Sequence, residues 1–205
     1  MMFSRQTKKG MTLVEMMMAI AIFGFGSIVF SLLLVRSWES NRFLFASGQA
    51  QLTASQGMGR MVDTIRNARQ ADNGAFAVVE AQEEALVFYA NVDDDDDVER
   101  VRFALSGSEI TLESRNPDGS VPPTYPNGYD TSGMLVRNVV DMDVHTLFTY
   151  YDDNNVPLDP GFTINEIKMV GVTFAVDDNE SQPPSPVVME SFASIRNLSE
   201  HDSAN

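Results

Sequence analysis

Residues 8–35 read KKGMTLVEMMMAIAIFGFGSIVFSLLLV. A basic pair and a glycine lead into an apolar run whose single charge is Glu15, and residues 16–35 carry none. About 20 apolar residues suffice for a helix to cross a bilayer, so this stretch predicts a membrane-spanning helix. A carboxylate within such a helix costs roughly 2.5–3.5 kcal/mol near mid-bilayer on insertion scales, and Glu15 therefore asks for a partner. Arg5, Lys8 and Lys9 precede the run with no acid among residues 1–10, which predicts a cytoplasmic N-terminal end and an exported remainder. An ordinary secretory signal has an apolar region of about 7–15 residues and a small-x-small cleavage site. Here the run continues unbroken to Val35 and meets Arg36, Trp38 and Glu39. A plain signal anchor accounts for the length and leaves Gly10 and Glu15 without a role.

Outward from this run, helical spacing continues. From Trp38 to Arg69 the apolar positions Phe43, Ala50, Leu52, Met58, Met61, Val62 and Ile65 recur at roughly helical intervals, with no proline. Gly57-Met58-Gly59 marks a bend or a place of close contact with a sheet, since each glycine costs up to about 1 kcal/mol inside a helix. After Asp72-Asn73-Gly74 the period changes. Residues 85–92, 98–105, 109–114, 139–151, 167–176 and 187–198 are rich in Val, Ile, Phe and Tyr and read as strands. Ser106-Gly107-Ser108 reads as a hairpin turn and residues 121–133, with three prolines, as a loop. The expected fold is α+β: a long N-terminal helix, half membrane stalk and half amphipathic, packed on an antiparallel β-sheet head.

Charge divides the chain along the same line. Of 29 acids and 14 Lys+Arg, residues 1–70 hold three acids and eight bases, which leaves 26 acids and six bases in residues 71–205. So acidic a head does not bind nucleic acid by neutralising phosphates. The chain has no cysteine and two histidines, His145 and His201, so zinc sites and thiol or Ser-His chemistry have almost no material. His145 falls in a segment read as strand and is taken as structural. No carboxylate pair is marked as catalytic by its spacing, and no enzyme activity is expected.

Asp93-Asp94-Asp95-Asp96-Asp97 lies between two strand segments. Alternate aspartates in a loop, Asp93, Asp95 and Asp97, resemble the first part of a calcium loop, although the loop glycine is missing and Glu99 is not at an EF-hand's closing position. A solvated acidic turn is the competing reading. Calcium is the one cofactor for which the sequence offers ligands.

Lys8-Lys9-Gly10 followed by Met11-Thr12-Leu13-Val14-Glu15 resembles the processing site of type IV pilins and of the pseudopilins of type II secretion. That resemblance implies cleavage after Gly10 by a prepilin peptidase and N-methylation of Met11. It also places Glu15 at the fifth mature position, where the family's glutamate pairs with the N-terminal ammonium of a neighbouring subunit. It implies residues 1–10 as leader, 11–35 as the transmembrane half of the helix, 36–70 as its amphipathic half and 71–205 as the head. The partners implied are the inner membrane and other major and minor pilin-like subunits. The segments MVDTIRNA (61–68), LVFYANV (86–92), ERVRF (99–103), FTYYD (148–152), INEIKMV (164–170) and SIRNL (194–198) are similar to the J-class minor pseudopilins, which implies a priming or tip subunit. A membrane-anchored extracytoplasmic binding module or adhesin, with calcium in its head, is the alternative.

Overall fold

The computed structural model describes residues 12–93, 95–140, 142–177 and 186–195, without the side chains of 39–47, 49 and 50. Contacts divide the chain into two compact units, Met1–Ala46 and Ser47–Asn205. Helix α1, Leu13–Arg66, contributes residues to both.

In the first unit, Leu13–Trp38 is a 26-residue stretch of mean hydropathy 2.5 with none of it buried. At 1.5 Å per residue this is about 39 Å of helix, more than the ~30 Å hydrocarbon core of a bilayer. Leu, Ile, Met and Phe side chains stand exposed on all sides of it, among them Ile22, Phe23 and Phe25, as in a helix whose solvent is lipid rather than water. Its two serines fold back on the helix: Ser27 Oγ donates to the Phe23 carbonyl at 2.8 Å and Ser31 Oγ to the Ser27 carbonyl at 2.9 Å. Neither hydroxyl is left bare in an apolar medium. This single apolar helix is consistent with a membrane anchor.

In the second unit the last turns of α1 bury one stripe, Ala54, Met58, Met61, Val62 and Ile65, the spacing of a single helix face. A five-stranded antiparallel meander takes the order β1 (Val78–Ala81), β2 (Ala85–Ala90), β3 (Glu99–Ser106), β4 (Glu109–Arg115), β5 (Thr131–Val136). A second sheet is centred on β8 (Met169–Val176). Strand β9 (Val187–Ser194) pairs along one side of it, while β6 (Val139–Val140) and β7 (Phe148–Tyr151) pair with it in turn. The helix stripe and the inner faces of both sheets share one core that includes Phe88, Phe103, Ile110, Phe148, Val172 and Phe174. Burying a side chain of this size contributes about 1.5–3 kcal/mol. The fold is α+β, as the change from helical to alternating period predicts.

At Gly57 helix and sheet come into close contact. A Cβ there would lie 2.5 Å from Val136 Cγ2 and 3.0 Å from the Leu135 carbonyl oxygen, so the missing side chain is what lets α1 rest against β5. The GMG segment marks a place of close contact, and α1 continues through it as helix.

Three expectations are corrected. Residues 131–136, which take in the last three residues of the expected loop 121–133, form β5, because β4 offers a free edge that pairs with them from Ile110↔Val136 to Ser114↔Thr131. Strand β1 pairs with β2 although VVEA is too short and mixed to announce itself. Segment 139–151 is two strands rather than one: Val139–Val140 pair with Val176 and Ala175, and Phe148–Tyr151 with Val172 to Met169. Residues 142–147 lie outside the strands, so half-buried His145 sits in a connection and Val144 is 78% exposed.

Candidate functional site

The sequence singles out two places, the start of α1 and the acidic loop between β2 and β3. Gly10 and Met11 lie outside the described residues. Glu15 stands in the first turn of α1, three residues after Thr12, and the two close on each other. The Thr12 backbone N–H donates to Glu15 Oε2 at 2.9 Å and the Thr12 hydroxyl to the same oxygen at 3.1 Å, while the Glu15 N–H donates to Thr12 Oγ1 at 3.3 Å. This is a capping box, T-x-x-E, which gives otherwise partnerless N–H groups at a helix start their acceptors. Glu15 stays exposed. Its carboxylate is oriented toward the chain's own N-terminal end by neighbours three residues away.

In the β2–β3 loop, Asp93 and Asp95 are exposed and Glu99 is completely buried. One carboxylate oxygen from each of the three lies within 4.8 Å of the other two, so the group could hold a metal ion. Asp97 is not in this group; its backbone N–H donates to Asp95 Oδ1 at 2.8 Å. Glu99 opens β3 opposite Ala90, and the two-residue period of the strand puts it on the same inward face as Val101 and Phe103. Its Oε2 accepts the Val92 N–H at 2.8 Å, whereas Oε1 is buried with no hydrogen-bond partner. Burial pushes the Glu99 carboxyl above the usual range; the Val92 N–H opposes this, and nearby Asp93 and Asp95 add to the rise.

The loop is fastened to the residues that follow α1. Arg69 donates its backbone N–H to the Tyr89 carbonyl at 2.9 Å and its Nη2 to the Asp97 carbonyl at 3.4 Å, and the Val98 N–H donates to Asp72 Oδ2 at 3.1 Å. The Asn91 side-chain amide donates to the Asp95 carbonyl. Beneath lies a small apolar cluster of Ala71, Tyr89 and Val98 with Tyr125 packed on it, and the Tyr125 hydroxyl donates to the Val98 carbonyl at 2.7 Å. Burial pushes the Tyr125 phenol up to about 12.

Sequence reasoning found the two aspartates and missed Glu99 as their companion. The signal was present: extending the alternation of β3 back by one step makes residue 99 an inward acid.

Set against known families, residues 5–31 match the prokaryotic N-terminal methylation motif. No curated protein matches the chain. The matched stretch contains Gly10, Met11, the Thr12–Glu15 box and the first part of the apolar helix, so over this N-terminal segment the chain is similar to type IV pilin-like prepilins.

Proposed function

We propose that the chain is a minor pilin-like subunit, cut after Gly10 by a prepilin peptidase, N-methylated on Met11 and assembled through its N-terminal helix into a type IV pilus-like or type II secretion filament. The observation that carries this reading is Glu15, a carboxylate held at the start of an exposed 26-residue apolar helix within the methylation motif. Residues 1–10 stay cytoplasmic, the helix resides in the inner membrane, and the head lies outside until the subunit joins the filament. A buried ion pair is favourable only when both charges are present, so Glu15 recruits a neighbour's N-terminal ammonium and sets the register. Gly24 and Gly26, whose added Cβ atoms would meet nothing within 4 Å, leave flat surface for close helix approach. The head carries contacts with sister subunits and no catalysis, and the similarity of its segments to J-class minor pseudopilins favours a position in the priming or tip complex.

Co-expression with a prepilin peptidase tests the processing step. Intact-mass measurement should show the loss of residues 1–10 and the gain of one methyl group, and Gly10→Ala should stop the cut. A mass unchanged in the wild-type chain would reduce the segment to a plain anchor.

A second reading, a membrane-anchored binding module or adhesin that uses calcium in its head, draws on the Asp93, Asp95 and Glu99 group. An uncut Gly10→Ala chain would remain a working anchored module on that reading and would be left out of filaments on the first.

A further inference from the structure

We infer that Asp93, Asp95 and Glu99 form a site for one hard divalent cation of the calcium kind, anchored on the buried Glu99 side chain. This names the ligands for the calcium reading of the acidic loop and is independent of filament assembly, which reads out through processing and recruitment instead.

Exposed aspartates in a loop need no ion, because water solvates them. Glu99 is different. It is 0% exposed, one carboxylate oxygen has a single N–H donor, and the other is buried with none. A buried carboxylate left in that condition costs several kcal/mol, and this half-partnered side chain belongs to the group formed with the Asp93 and Asp95 carboxylates. A proton on Glu99 would relieve its own burial and leave two adjacent aspartates repelling each other. A divalent cation among the three offsets two of their three charges and gives the buried Glu99 carboxylate a counter-charge.

The donor set selects the ion. Three carboxylates on a loop and a strand end, with no imidazole or thiolate, suit calcium or magnesium rather than zinc or copper. Calcium accepts six to eight oxygens in irregular geometry, while magnesium demands a near-ideal octahedron and keeps its waters. Loop carbonyls and water can complete a calcium shell around three carboxylates. The arrangement is not an EF-hand, since the deepest ligand comes from the start of β3 rather than from the loop.

An ion here would tie the loop to the end of β3. Through the Arg69–Asp97 and Val98–Asp72 bonds it would also strengthen the seam between the loop and the residues following α1.

The test uses the full-length chain in detergent micelles, stripped with a chelator and titrated with CaCl2, by calorimetry and by thermal unfolding. The expected result is one calcium per chain and a Tm rise of roughly 5–10 °C once calcium exceeds Kd about 100-fold. Both signals should disappear in Glu99→Gln and in Asp95→Asn. Glu99→Gln removes a buried charge without changing shape, so it should melt no lower than the stripped wild-type chain, which separates a lost site from a lost fold. If that variant does not fold, Asp95→Asn decides alone. Three results would overturn the site: no heat and no shift up to about 10 mM calcium, above the ~1 mM of the weakest calcium modules; an equal shift from NaCl at matched ionic strength; or an undiminished calcium response in a folded variant.

Discussion

Glu15 and Glu99 are both acids among apolar residues, and the two regions that contain them treat the charge in opposite ways. At the start of α1 the carboxylate stays exposed, and its donors come from Thr12, three residues back. At the start of β3 it is buried, and Oε2 takes one N–H from Val92, seven residues back, while Oε1 takes none. The first arrangement is complete within one turn of helix, so the charge remains available to a second molecule. The second is incomplete within the chain and makes the carboxylate a demand on the fold itself. An acid proposed to serve assembly can be local; an acid buried under a loop must be placed by the sheet.

The largest expected effect follows from separating the two jobs of Glu15. Glu15→Ala removes both the capping box and the charge, whereas Glu15→Gln keeps a residue that can close the box and removes only the charge. Breaking a buried ion pair costs about 3–5 kcal/mol, which is more than about 100-fold in association. Both variants should therefore be processed normally and both should fail to enter filaments, as read by immunoblots of sheared filaments. Should Glu15→Gln assemble as well as wild type, helix capping is the function of Glu15 and the comparison with Glu99 loses its first half.

Glycines offer the next test, since the same residue type meets different surroundings in the two units. A Cβ at Gly24 or Gly26 meets nothing within 4 Å, while one at Gly57 meets Val136 Cγ2 at 2.5 Å and the Leu135 carbonyl oxygen at 3.0 Å. Gly57→Ala gains up to about 1 kcal/mol of helix propensity and loses about 1–3 kcal/mol to overpacking. Because one neighbour is backbone, which cannot rotate aside, the loss should prevail by roughly 1–2 kcal/mol. In the detergent-solubilised chain the head should melt several degrees lower with Gly57→Ala and unchanged with Gly24→Ala. Gly24→Ala should instead weaken assembly. Equal melting of both variants would mean that α1 and β5 do not meet as closely as their backbones indicate.

Legibility follows the same division. The apolar helix was readable because its determinant is contiguous, hydropathy over 26 residues; the Thr12–Glu15 box, a three-residue spacing, was equally present and was not picked out. The buried stripe was readable from Met58 to Ile65 for the same reason as the apolar helix, whereas Ala54 was not picked out and Leu52, which was, stands 60% exposed. Strands β2, β3, β4, β8 and β9 announced themselves by β-branched and aromatic content. Strand β5 did not, because TSGMLV is mostly exposed and owes its pairing to the free edge of β4. The 139–151 segment failed differently, since its two ends pair with β8 and composition alone does not show where the chain leaves the sheet between them. At the acidic loop, Asp93 and Asp95 were visible as a charge run, but the inward Glu99 depends on strand parity, and its missing partner depends on what the sheet brings near it.

Asp118 provides the smallest test, because it combines the local donors of Glu15 with a position in the head. Its carboxylate is exposed and accepts the Ser120 hydroxyl at 2.5 Å, the Thr124 N–H at 2.7 Å and the Thr124 hydroxyl at 2.7 Å. The Ser120 hydroxyl first, then the Thr124 hydroxyl and N–H, hold it well below the usual carboxylate range, opposite in direction to Glu99. The sign follows from linkage. With the folded pKa depressed, the unfolded chain binds the proton more readily, so the stabilisation is complete above the unfolded aspartate's ~3.9 and fades as pH falls below it toward the folded value. Solvent screening keeps the effect small. Melting the wild-type chain and Asp118→Ala side by side from about pH 7 to about pH 2.5 should show a modest gap at neutral pH that narrows on the acid side. A gap of constant size would mean that the loop of residues 117–124 is held by its backbone, through bonds such as Asp118 N–H to the Thr124 carbonyl at 2.8 Å. Local donors would then not be what lets an acid keep its charge in this head, and the contrast with Glu99 would rest on burial alone.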